Sequence, residues 1–139
     1  MTIANTPALL RTYLVANVAL AAAVSSRIWV AKVPEDELAN MPTKAVLIIP
    51  SSSTPNLGVP VYGERSGMYC YGSTEYEAFT VYRALYDALH RCGLQTVSST
   101  YRIMQGALSG GPTYHTEPVT GWPRVLATFN VTWLETAVT

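Results

Sequence analysis

The 139-residue chain holds only two cysteines, two histidines and two aspartates, and each scarcity removes a class of function. Cys70 and Cys92 are too few and too far apart for a disulfide framework or a zinc knuckle. Both fall on expected core faces, as buried thiols. A hydrolase needs a nucleophile, a base and an orienting group, and neither histidine has them at useful spacing. His90 falls in the last turn of an expected helix, where an imidazolium suits the helix dipole. His115 stands in a loop near Glu117 as a solvated side chain. Ser109-Gly110-Gly111-Pro112 lacks the lysine and hydroxyl of a phosphate loop and reads as a turn. No catalytic, cofactor or metal site is therefore expected.

Net charge is missing as well. Nine basic and nine acidic residues cancel, without a run of either sign, so long-range attraction draws neither nucleic acid nor a membrane surface to this chain. Arg102 and Arg124 share one face of the terminal hairpin, but two arginines fall short of the basic, stacking surface of sheet-based RNA binders. Long apolar runs are scarce too. Residues 9–24 come nearest, yet nothing before Pro7 is positively charged and Arg11 lies inside the apolar part, unlike a secretory signal. Asn17 interrupts the run, which is too short and broken to span a membrane. A reduced, cytosolic setting is expected, and the Asn130-Val131-Thr132 glycosylation match is read as chance.

What is present is pattern. Thr6-Pro7 opens a helix in the favoured order, with Leu10, Tyr13, Leu14 and Val18 on its apolar face; Asn17 caps a second short turn ended by Ser25-Ser26. Ile28-Trp29-Val30 is a brief extended piece, followed by an acidic loop at Pro34-Glu35-Asp36-Glu37. Residues 44–49 are apolar on both faces, as in a strand covered on both sides. Residues 65–93 run from a strand into a helix with almost no connector. Thr74 and Glu77 have capping-box spacing. Ala78, Val81, Tyr82, Leu85, Ala88, Leu89 and Cys92 form one apolar stripe, and Gly93 supplies a left-handed stop.

Residues 97–108 and 122–133 read as a hairpin, joined by a loop over 109–121. In the second strand Val125, Ala127, Phe129, Val131 and Trp133 alternate inward, leaving Arg124, Thr128, Asn130 and Thr132 outward. Residues 51–67, rich in serine, proline and glycine, are expected to be a long loop that is either floppy or ordered by a partner. The sum is a single domain over 1–139, an α+β fold. Its mostly antiparallel sheet has four to five strands, with two main helices packed on one face. Aromatics are plentiful: nine tyrosines and three tryptophans. Tyr69 and Tyr71 lie opposite Met68 and Cys70, so with the latter in the core the tyrosines are covered either by a loop of their own chain or by a neighbouring subunit.

With these elements in place the chain resembles the tail terminator family of long-tailed bacteriophages, the tail completion or tail-to-head joining proteins. The carriers are the helix over 9–24 with Arg27-Ile28-Trp29 after it, and the strand entering Tyr71-Gly72-Ser73-Thr74-Glu75 with a helix ending in Ala88-Leu89. To these are added Gly110-Gly111-Pro112 and the closing stretch from Thr120-Gly121-Trp122-Pro123-Arg124-Val125 to Phe129. The resemblance implies a homo-oligomeric ring, usually a hexamer, on the head-proximal end of the tail tube of a siphovirus-like virion. Such a ring ends tube polymerisation and joins the tail to the connector and neck of the head. Its implied partners are tail tube protein and connector proteins; DNA passes the lumen without sequence-specific binding, and no membrane or cofactor is involved. It resides in the virion, and in the host cytoplasm during assembly. Tyr62, Arg65, Tyr69, Tyr71, Arg124 and Asn130 are the expected contact residues. Two other readings stand beside this one: a different neck or head-completion adaptor, and a small ligand-binding or hydrolytic domain using His115, Glu117 and Cys70 in a cleft.

Overall fold

The computed structural model describes residues 6–49, 53–54, 61–90, 92–98 and 101–135, with backbone alone at 53–54, 61–62 and 135. Helix α1 (Thr6–Ala16) buries Leu10 and Leu14, and α2 (Val18–Val24) buries Leu20 and Val24. As the sequence predicts, Asn17 separates them, its side chain accepting from the Leu20 N–H at 3.0 Å. The bend there is 90°, and no helix among the described residues is long and apolar enough to cross a membrane. Strand β1 (Ile28–Val30) follows; the expected acidic loop is instead a 3-10 helix, Glu35–Asn40.

β2 (Ala45–Ile49) is the apolar strand inside the sheet. β3 (Ser53–Thr54) pairs with β4 (Val61–Tyr71), so residues 61–67 are strand rather than loop. The alternation is hidden there because two inward positions are polar: Glu64 is 4% exposed and Ser66 1%, and Ser66 donates to Glu64 at 2.9 Å. Thr6 at the start of α1 donates to the other carboxylate oxygen. The remainder of the serine-rich loop expectation, residues 51–52 and 55–60, lies outside the described residues.

The strand-to-helix joint is as tight as the sequence implies. Thr74 caps α3 (Glu75–Leu89), accepting from the Glu77 N–H at 3.2 Å. Glu77 reaches back one residue further than a capping box, accepting from Ser73 N–H at 3.1 Å and Ser73 Oγ at 2.7 Å. Gly72 permits this turn, because a Cβ there would sit 2.5 Å from the Ala78 nitrogen. The helix stops at Leu89, earlier than expected; Gly93 is left-handed at φ 63° but lies beyond the end.

β5 (Gln95–Thr96), β6 (Tyr101–Thr116) and β7 (Pro123–Glu135) complete the sheet. The expected 109–121 loop shrinks to 117–122, closed by Glu117 N–H donating to Trp122 O at 2.9 Å. Ser109-Gly110-Gly111-Pro112 reads as a turn in isolation, yet β7 supplies a pairing partner and the excess residues are absorbed as register shifts within β6. Among the described residues the order is β1-β2-β4-β7-β6-β5 with β3 off the path, seven strands rather than four or five, antiparallel except for β1 on β2. Helices α1, α2 and α3 pack on one face, burying Met68, Cys70, Val125, Ala127, Phe129, Val131 and Trp133 against Leu10, Leu14, Val81, Leu85 and Leu89.

Candidate functional site

The opposite, outer sheet face carries five of the expected contact residues, Arg65, Tyr69, Tyr71, Arg124 and Asn130. Register places Tyr71 beside Arg124 and His115 in one cross-strand row, and Arg65 directly across from Asn130. Arg124 lies 4.0 Å over the Tyr69 ring and its Nε donates to His115 Nε2 at 2.8 Å, a cation–π contact reinforced by a hydrogen bond. Tyr69 meets Tyr71 at 6.3 Å and His115 edge-on at 6.0 Å, and Trp122 closes over Tyr71 at 6.0 Å. This cluster covers a small second core of Ala45, Leu47 and Tyr71.

The two tyrosines therefore have different fates. Tyr71 is only 3% exposed, so its own chain, Trp122 included, covers it and leaves almost no surface for a neighbour. Burial pushes its hydroxyl above the ordinary tyrosine value, against a smaller opposing effect of Arg124. Tyr69 and Arg124 are half-buried, while Arg65 and Asn130 are exposed. Tyr62 stands in β4 across from Trp133, and the contact expected of its side chain lies outside the described residues.

The cleft of His115, Glu117 and Cys70 does not form. Cys70 faces the helices, fully buried, with its thiol pushed up by burial; His115 is on the other side of the sheet. Glu117 caps the β6–β7 turn by accepting from Thr120 N–H at 2.6 Å and from its hydroxyl, which lowers the carboxyl. Nor do Arg102 and Arg124 make one basic patch, since Arg124 stands at the start of β7 and Arg102 pairs with Leu134 near its end, about 33 Å apart along the strand. Among the described residues no three metal-ligating side chains come together.

Sequence reasoning missed a second aromatic feature. Along α3, Phe79, Tyr82, Tyr86 and His90 form a half-buried ladder, with ring centroids 6.4, 6.1 and 4.5 Å apart, and Tyr114 from β6 stacks on Phe79 at 6.4 Å. The three- and four-residue spacing of these rings is the signal that carries it. His90 is the C-cap of α3, one residue beyond its last turn, and its Nδ1 accepts the Leu108 N–H at 3.1 Å. Tyr82, Arg83, Tyr86 and Asp87 line a shallow hollow of about 270 Å³ on the outer side of this helix.

No protein-family model matches the chain. No curated protein sequence matches it either. Among solved structures it is similar to a chain in the virion of a native gene transfer agent particle, with a TM-score of 0.70 at 18% identity over 94% of each chain. It is also similar to the gp17 protein of bacteriophage SPP1, with a TM-score of 0.50 at 17% identity over 91% of this chain and 86% of that one. At these identities the likeness establishes a shared fold.

Proposed function

We propose that this chain is a structural component of a phage-type virion. In this reading it forms a ring at the head-proximal end of the tail tube, ends tube polymerisation and joins the tail to the head connector. The observation that carries the reading is the fold shared end to end with a protein of a gene transfer agent virion, 94% of either chain. The outer sheet face supports it physically. A ring needs a patch that meets a different patch on the next copy with a rotation that closes, and Arg65, Tyr69, Arg124 and Asn130 offer a polar-aromatic surface of the kind enriched at interfaces. The role is carried by contact surfaces, without catalysis or cofactor. Tail tube protein and connector proteins are its partners, and DNA passes the lumen without being gripped, in keeping with zero net charge.

Native mass spectrometry and negative-stain imaging of the purified chain, alone and with tail tube protein, test this. A closed ring that binds the end of the tube is the expected result. A species that stays monomeric in both conditions refutes the reading. Binding to portal-side proteins but not to tube protein replaces it with a neck adaptor.

A further inference from the structure

The sheet edges are blunted, which directs any neighbour to the faces. On β1 the outward carbonyl of Ile28 accepts from Arg11 Nε at 2.6 Å and that of Val30 from the Lys32 N–H at 2.9 Å. On β6 the Leu108 N–H is taken by His90, β5 covers Arg102 and Ile103, and Pro112 and three register shifts interrupt the rest. Such devices are how natural sheets refuse added strands.

Two broad faces remain, on opposite sides of the molecule. On the outer rows of β4, β7 and β6 the charged side chains are arginines, Arg65 and Arg124 among them, with no carboxylate in register with them. Arg124 is held by its own chain; Arg65 is exposed across from exposed Asn130. On the outer face of α3 the balance is reversed: exposed Glu75 and Asp87 outnumber exposed Arg83, beside the half-buried rings of Tyr82 and Tyr86. Among the described residues neither Arg65 nor Asp87 has an ion-pair partner within the chain. The dimensions agree as well. A 15-residue helix is about 22 Å long and about 10 Å wide, and three strands offer a bed about 14 Å wide.

We propose that the outer face of α3 docks on the outer sheet face of a second copy of this chain, with Asp87 of one copy meeting Arg65 of the next. The inference rests on the ring reading above and deepens it. Because the two surfaces lie on opposite sides, the contact is head-to-tail, the kind that generates a ring when its rotation closes. Tyr82 and Tyr86 supply the desolvated centre, and the charge pair fixes register and excludes the inverse arrangement.

The test is a charge swap in the full-length chain, read by native mass spectrometry and sedimentation velocity, with far-UV circular dichroism confirming the fold. Arg65→Glu and Asp87→Arg are each expected to weaken ring formation by roughly tenfold or more by placing like charges in contact. The Arg65→Glu/Asp87→Arg double variant is expected to restore it. Rings that persist in both single variants overturn the inference while leaving the ring reading intact. Loss with Asp87→Arg alone, unmoved by Arg65→Glu, points to helix-on-helix contact and also overturns it. A monomeric wild-type chain defeats both.

Discussion

Replacing Gly72 with alanine adds one methyl group at the point where β4 turns into α3. The new Cβ would lie 2.5 Å from the Ala78 nitrogen, 2.6 Å from Glu77 Cβ and 2.7 Å from the Glu77 carbonyl carbon. Backbone atoms of a capped first turn cannot swing aside as a flexible side chain can, so the joint itself must open. Opening it pulls on the Gly72 N–H to Pro123 O bond at 3.3 Å and on the Thr74 cap. Overpacking of this kind costs about 1 to 3 kcal/mol, and a strained cap adds about 1 kcal/mol; about 2 to 4 kcal/mol is the expected total. For a domain of 139 residues, at about 2.1 cal/mol/K of unfolding entropy per residue, 1 kcal/mol moves Tm by about 3.4 °C, giving a fall of about 7 to 14 °C. Gly63 is the internal control, since a Cβ there meets nothing within 4 Å. Gly63→Ala is expected to leave Tm unchanged or slightly raised. Both are read by thermal unfolding followed at 222 nm. A Gly72→Ala variant melting within about 2 °C of the parent would refute the claim that this glycine is required by close approach.

Other outcomes follow from single contacts. Burial raises the Glu64 carboxyl above its ordinary value, the Ser66 hydroxyl opposing it. The folded state therefore disfavours the charged form, and stability falls as pH rises from the ordinary carboxylate range through the raised value. In Glu64→Gln that part of the slope is expected to vanish from urea melts across the range; an unchanged slope refutes it. Tyr13→Phe removes a 2.6 Å bond to the Ala88 carbonyl that ties α1 to α3, and is expected to cost about 1 kcal/mol in chemical denaturation. Arg124→Ala strips Tyr69 of its stacked guanidinium and His115 of its donor. A loss of about 1 to 2 kcal/mol is expected, with a changed near-UV tyrosine signal; Arg124→Lys recovers only part of it because an ammonium has no planar fork.

The sequence by itself determined the elements whose apolar residues repeat at a regular period or whose ends carry a local cap. The Asn17 break, the Thr74 cap and the inward row from Val125 to Trp133 are properties of neighbours along the chain, and all are found in place. It also separated the two faces of the sheet, with Met68 and Cys70 on one and Tyr69 and Tyr71 on the other. Tertiary structure alone decided where local signal and global pairing disagree. Residues 61–67 and 109–116 look like loops because their inward positions are polar or their backbone holds glycine and proline, yet both lie in long strands paired with β7. Only the packed fold showed that Trp122 closes over Tyr71 while Arg65 stays exposed across from Asn130. It also set Cys70 and His115 on opposite sides of one sheet. These are contacts between residues distant in sequence, and no local period records which of two exposed-looking faces the rest of the chain will cover.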